Sequence, residues 1–354
     1  MKRLVCTFFF VWIATISSFL SIFAQAPDGY YNKAIGKTQA ALKSTIGQII
    51  VEHTERSYAD LWSDFQLTDK RADGKVWDIY SNSTNYTFIT SQCGNYNSEF
   101  DCYNREHSFP KSWFNDETPM YTDLFHLYPS DGYVNGKRSN YPFGEVSNPT
   151  YSSSNGYCKL GNCSFSGYSG IVFEPNNELK GDFARTYFYM VTCYENKVST
   201  WSSDQLAGNT YPALSAWSVN LFLKWSRQDP VSQKEINRNN AVYAIQKNRN
   251  PFIDIPELAE YIWGTKQQIP FSMTSDIKEA KIKPTIRLIN KTLYISDLSD
   301  DTDLVLIDLQ GNVLQKQLLF TGMNTIEIHQ PMAIIIAKFT SAQGSFAIKI
   351  FTGE

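Results

Sequence analysis

The chain is predicted to be α+β, a mostly helical body followed by a small all-β domain. Three observations predict this. Apolar residues recur at helix-like intervals through much of the first 263 residues, composition shifts after Trp263-Gly264, and short alternating runs begin at Thr285. At 354 residues, with 42% hydrophobic and 15% aromatic side chains, the chain can bury at least one large core. A formal charge of −3 excludes a wholesale cationic coat but leaves room for a local basic groove.

The N-terminus reads Met1-Lys2-Arg3, an apolar run from Leu4 to Phe23, then Ala24-Gln25-Ala26. Positive end, apolar middle and small exit residues predict a signal peptide over 1–24, cleaved after Ala24 or nearby, and hence a secreted protein. The run is nearly long enough to span a bilayer, so an uncleaved anchor is the competing reading. Cys6 sits at the start of the segment, not its exit, which argues against a lipid anchor.

The body should occupy 27–264. A helix is expected within 32–52 from Ala40, Ala41, Leu42, Ile46, Ile49 and Ile50, with a shorter one through Asp60-Leu61-Trp62. Val76–Tyr80 and Tyr86–Thr90 look like strands. A short helix is expected over Asn135–Asn140 despite Gly136, and a long surface loop over Ser147–Ser169, which is rich in Ser, Asn, Gly and Tyr. Phe183–Tyr194, Ala213–Trp225 and Lys234–Ile245 read as helices whose aromatic stripes belong to the core. Asn248, Asn250 and Asp254 should hold a turn before the last helix.

Residues 265–284 are polar and Lys-rich, a linker to a β-sandwich-like domain over 285–354. There, Leu304–Leu309 should enter a tight turn at Gln310-Gly311-Asn312, with further strands at Ala333–Ala337 and Phe346–Ile350.

Beyond Cys6 the cysteines are Cys93, Cys102, Cys158, Cys163 and Cys193. In an oxidising compartment the close pairs Cys93–Cys102 and Cys158–Cys163 read as disulfides, leaving Cys193 over. Zinc is the competing reading, but no Cys-x-x-Cys or paired histidines stand at metal spacing.

The chemistry centres on Glu106-His107 in a chain with four histidines. A histidine can accept a proton from water near neutral pH, and an adjacent carboxylate can hold a metal ion beside it. About thirty residues on, Tyr133–Asn140 is dense in polar groups suited to metal and phosphate. One carboxylate with one amide carbonyl suits magnesium, which keeps several waters. Phosphodiester hydrolysis needs these parts: an activated water, a cation, and help for the departing oxygen.

Five ordered blocks carry a resemblance. They are Asn104-Arg105-Glu106-His107; Asp123-Leu124-Phe125-His126-Leu127-Tyr128-Pro129; Val134-Asn135-Gly136-Lys137-Arg138-Ser139-Asn140; Lys180–Met190; and Gln246–Asp254. Together they resemble the secreted or periplasmic endonuclease I family of ββα-metal (His-Me finger) nucleases. The resemblance implies His107 as general base, Glu106 and Asn135 as ligands of one Mg2+ (with Mn2+ or Ca2+ as possible substitutes), and cleavage of DNA, RNA or both to 5′-phosphate ends.

Two departures stand out. DNA-cleaving members often carry an arginine-bearing insertion after Glu-His, and here Trp113-Phe114 runs almost directly into Asp123-Leu124. His126 stands where an asparagine is common.

Arg105, Lys111, Arg138 and Arg185 are the candidates for holding substrate phosphate, with Lys137, Lys180, Lys247 and Arg249 nearby in sequence. The C-terminal domain resembles the sorting domains of the type IX secretion system, through Asp308–Val313 and Phe346–Ile350. That makes the secretion machinery a partner, with the enzyme itself a monomer; a carbohydrate- or surface-binding module is the alternative. A non-catalytic extracellular nucleic-acid-binding or adhesion protein is the alternative to the enzyme.

Overall fold

The computed structural model describes residues 26–273, 284–298, 300–308, 312–329, 334–341 and 344–351. The signal-peptide reading of 1–24, half of the expected linker and the turn at Gln310-Gly311 lie outside these residues. The chain forms two compact units, Met1–Phe271 and Ser272–Glu354.

The first unit is built around one helix. Its helices are α1 (Gln39–Ile50), α2 (Leu61–Thr68), α3 (Gly132–Arg138), α4 (Lys180–Cys193), α5 (Glu195–Val198), α6 (Ala216–Gln228), α7 (Gln233–Gln246), α8 (Pro251–Asp254) and α9 (Leu258–Ile262). Every residue of α4 is buried. A helix apolar or aromatic on most of its circumference needs neighbours on all sides, and α1 and α6 pack directly against it.

The approach of α1 to α4 is close. A Cβ on Gly47 would fall 2.6 Å from the Thr192 carbonyl oxygen, so glycine is required there. Polar residues of α4 bond across the core: Tyr189 donates to Asp123 at 2.8 Å, and the Tyr128 and Thr186 hydroxyls lie 2.9 Å apart. α7 starts with a capping box, Ser232 and Glu235 each bonding the other's backbone N–H. Asn250 caps α8 by accepting from the Phe252 N–H at 3.0 Å, the turn expected there.

Two small sheets complete the unit. β1 (Tyr103–His107) pairs antiparallel with β2 (Leu127–Asp131), placing Glu106 opposite Tyr128 and His107 opposite Leu127. β3 (Val146–Ser152), β4 (Lys159–Cys163) and β5 (Ile171–Glu174) form the other, in that order.

Several expectations are corrected. Residues 147–169 are not one loop, because β3 and β4 pair across them with a register shift at Pro149. Val76–Tyr80 and Tyr86–Thr90 are not strands. Their backbone goes to scattered partners, Val76 N–H to Tyr86 and Ile79 N–H to Pro129, while the Asp78 carboxylate takes the Tyr80 N–H and Thr84 hydroxyl.

Cys93–Cys102 is a disulfide, but Cys158, Cys163 and Cys193 are free. The reason is strand geometry. Cys158 immediately precedes extended β4 and Cys163 ends it, and five steps of about 3.3 Å each separate them by roughly 16 Å, whereas a disulfide tolerates about 7 Å between Cα atoms. Burial holds the Cys158 and Cys193 thiols well above their ordinary pKa, so neither is poised to react.

The body also runs past residue 264. The Phe271 N–H and carbonyl bond the Lys37 carbonyl and Gly36 N–H at 2.8 Å each, and the Phe271 ring is buried.

The second unit is all β. β6 (Thr285–Ile289), β7 (Thr292–Leu298) and β10 (Gly322–Glu327) form one sheet, with β7 central. β8 (Thr302–Ile307), β9 (Val313–Leu319), β11 (Ile334–Ser341) and β12 (Gly344–Phe351) form the other, ordered β12-β11-β8-β9. Leu293, Ile295 and Ile326 from the first sheet share one apolar core with Leu304, Leu306, Ile335 and Phe339 from the second. An α+β body followed by an all-β domain is the fold class that the sequence predicts.

Candidate active site

β1, β2 and α3 follow the order strand, strand, helix, and they bring the candidate residues to one cleft. Its lining includes Tyr58, Arg105, Glu106, His107, Lys111, Asn135 and Arg138. Successive strand residues face opposite sides, so Glu106 and His107 meet different neighbours while both border the cleft.

His107 is buried, and its Nε2 lies 2.9 Å from the Tyr121 carbonyl oxygen. A carbonyl only accepts, so the neutral ring carries its proton on Nε2 and leaves Nδ1 as the basic nitrogen. Burial, then nearby His126, Lys111 and Arg105, hold the imidazole well below its ordinary pKa. His107 is therefore neutral at neutral pH, the state a general base requires.

The connector between the strands supplies this carbonyl. It passes through buried Trp113, Phe114 and Met120 before reaching Tyr121. His126, which the sequence sets apart from the base, packs beside it: the two rings lie 5.5 Å apart, and His126 Nε2 is tied to the Met120 carbonyl at 2.6 Å.

Glu106 is buried, and both of its side-chain contacts fall on Oε1. The Tyr80 hydroxyl donates at 2.6 Å and Arg138 Nη1 lies at 3.2 Å. Burial raises the carboxyl pKa against the pull of Arg138 and Tyr80. Asn135 sits one turn into α3, whose start is capped by Asp131 accepting from the Val134 N–H at 3.0 Å. Asn135 Nδ2 donates to Asn104 Oδ1 at 2.7 Å, which leaves the amide carbonyl oxygen available. A carboxylate oxygen and an amide oxygen at one cleft fit a hard cation such as magnesium.

The cations divide sharply. Arg105 stacks between rings, with its guanidinium carbon 3.5 Å from the Tyr58 centroid and 4.3 Å from that of Trp62, and it donates to the Tyr58 carbonyl at 2.6 Å. Lys111 is 44% exposed at its side chain and pairs with Asp116 at 3.1 Å. Both border the cleft.

Arg138 is buried, pairing with Glu106 and donating to the carbonyls of His107 (3.0 Å) and Ser108. Arg185 lies away from the cleft lining, bonded to Glu235 through Nε at 2.5 Å and Nη2 at 2.9 Å and to the Asp229 carbonyl at 2.9 Å. Lys180 and Arg249 are likewise engaged by Glu174 and Asp254. Of the eight cations, Arg138, Lys180, Arg185 and Arg249 pair with carboxylates inside the protein, Lys137 lies over the Tyr133 ring and Lys247 bonds the Ala244 carbonyl, while Arg105 and Lys111 border the cleft.

Sequence reasoning missed Tyr80, Tyr121, Tyr58 and Trp62. Tyr80 is hidden in a run that reads as a strand, and the contribution of Tyr121 is a backbone carbonyl, which no side-chain pattern signals.

A buried neutral imidazole beside two oxygen donors on a strand–strand–helix frame is the layout of a hydrolase. The chain belongs to the Endonuclease I family, whose sequence pattern matches residues 38–257. It is 36% identical over 244 residues to the extracellular ribonuclease of Bacillus subtilis (strain 168), covering 67% of this chain and 78% of that one. Identity to the extracellular ribonuclease of Bacillus amyloliquefaciens is also 36%, over 246 residues and the same shares. A periplasmic deoxyribonuclease of Aeromonas hydrophila is 30% identical over 135 residues, 38% of this chain and 48% of that one.

Proposed function

We propose that this chain is a secreted, monomeric endonuclease that hydrolyses DNA and/or RNA with little sequence preference, using His107 as general base. Family membership and relatives named as extracellular ribonucleases and deoxyribonucleases support the nuclease activity and the secretion. The observation that carries the mechanism is the bond from His107 Nε2 to the Tyr121 carbonyl, which leaves Nδ1 basic beside Glu106 and Asn135.

In this reading His107 Nδ1 takes a proton from the water attacking phosphorus. The bond from phosphorus to the 3′ oxygen breaks, and the phosphate stays on the 5′ end. Arg105 and Lys111 hold the phosphate backbone without reading bases. Glu106 and Asn135 would hold one magnesium ion, with manganese or calcium as substitutes. That ion supplies charge neutralisation for the phosphate and the departing oxygen. Arg138 counters the burial that raises the Glu106 pKa.

The test is cleavage of RNA, single-stranded DNA and duplex DNA by the mature protein, with magnesium and with EDTA. Cleavage of at least one substrate is expected with magnesium, and EDTA should abolish it. Cleavage unaffected by EDTA would remove the metal from the reading. Folded protein that binds nucleic acid but cuts none of the three would leave the non-catalytic alternative.

The C-terminal unit is proposed to be an export address of the type IX kind. The seven short strands among its described residues, sharing one small core, support a self-contained module. Deleting residues beyond 284 should stop export while the retained protein keeps nuclease activity; a truncated chain that is still exported would end that assignment.

A further inference from the structure

α3 has seven residues, and two of them are glycines four positions apart, Gly132 and Gly136. Residues at this spacing share one helix face, and glycine is the poorest helix former after proline. The reason for both is Tyr96. A Cβ on Gly132 would lie 2.6 Å from Tyr96 Cδ1, and one on Gly136 would lie 2.7 Å from the Tyr96 hydroxyl. The ring lies along this face with its hydroxyl over Gly136, the residue after Asn135. No larger side chain fits either position while Tyr96 is there.

Tyr96 is carried on the segment closed by the Cys93–Cys102 disulfide. The same segment grips the start of α3 through its backbone. The Phe100 N–H donates to Asp131 Oδ2 at 2.7 Å, and the Gly132 N–H donates to the Cys102 carbonyl at 2.9 Å. Asp131 Oδ1 meanwhile caps the helix at Val134. The helix is thus fixed at its first turn by hydrogen bonds and along its body by an aromatic ring. Among the described residues, the Asn135 side chain bonds to Asn104.

We infer that Tyr96 is a positioning residue for the Asn135 carbonyl. By setting the height and rotation of α3 it sets the distance between the two oxygen donors, Asn135 and Glu106. The inference rests on the proposed role of that pair as divalent-metal ligands. Residues that orient metal ligands from behind typically alter affinity by about 10–100-fold when replaced.

The experiment is Mn2+ binding to the full chain, read from the electron paramagnetic resonance signal of free Mn2+ without nucleic acid, with melting recorded for every variant. Tyr96→Ala should weaken Mn2+ binding roughly tenfold or more while the protein stays folded. Tyr96→Phe, which keeps the ring, should bind within about twofold of wild type, a small fraction of that loss. Gly136→Ala should weaken binding when Tyr96 is present and add little in the Tyr96→Ala background, because the two share one contact.

Asn135→Ala is the reference. If it leaves Mn2+ binding unchanged, the ligand assignment falls and the inference with it. If Asn135→Ala weakens binding but Tyr96→Ala and Gly136→Ala shift only the melting temperature, the ring is packing alone and the inference is overturned. Should Tyr96→Ala fail to fold, Gly136→Ala alone decides between the two roles.

Discussion

Replacing His107 with alanine is expected to lower turnover by about 10²–10⁴, the usual contribution of a positioned general base. Nucleic-acid affinity should change little, since Arg105 and Lys111 are untouched. The two effects separate in one experiment, with single-turnover cleavage for the chemistry and fluorescence anisotropy in EDTA for binding. Stability should fall, because the buried ring packs on Tyr121 and His126 as well as bonding the Tyr121 carbonyl, so melting is recorded to separate folding from chemistry. A His107→Ala protein that cleaves at the wild-type rate would assign the base elsewhere.

The second large effect concerns Arg138. Its sequence position among Asn135, Lys137 and Asn140 suggests a phosphate contact, yet it is buried against Glu106. Burial disfavours its charge, but Glu106 and the nearby Tyr80 and Tyr187 hydroxyls more than offset this, and the guanidinium stays firmly protonated. Arg138→Ala would strand Glu106 as a buried carboxylate without a cation and remove a donor from the His107 carbonyl, while the Ser108 carbonyl keeps the Tyr187 hydroxyl.

Breaking a buried pair from one side costs about 3–5 kcal/mol. For a unit of this size that lowers the melting temperature by roughly 10 °C. Adding Glu106→Gln to Arg138→Ala should recover part of the loss, because the uncompensated charge is then gone. If Arg138→Ala melts like wild type and instead loses affinity for nucleic acid, the phosphate contact is restored and the internal role fails.

These two residues mark where the sequence could and could not be read. That Glu106, His107 and Asn135 belong together was legible from the ordered blocks that carry the family resemblance, and the structure brings all three to one cleft. The central helices α4, α6 and α7 were legible because apolar side chains repeat at helical spacing. Which way a cation faces was not. Arg138 looks like a surface charge until Glu106, distant in sequence, is brought beside it, and the aromatic neighbours of Arg185 hint at an internal role without naming its partner, Glu235.

β3 was missed for a related reason. Its residues are mostly exposed and its register shifts at Pro149, so no alternation marks it as a strand. Val76–Tyr80 erred the other way. Aromatic and branched side chains suggested a strand, but Asp78 draws the backbone into a turn through the Tyr80 N–H.

The pairing of Phe271 with Gly36 and Lys37 carries a consequence for biosynthesis. It joins the beginning of the nuclease unit to its end, so a chain emerging N-terminus first cannot make it until the whole unit has been delivered. Contacts of such long sequence separation form late, since the loop between them must close first. A ribosome-bound or partly translocated chain would hold His107, Glu106 and Asn135 already in sequence, with the frame around them still missing its final stitch.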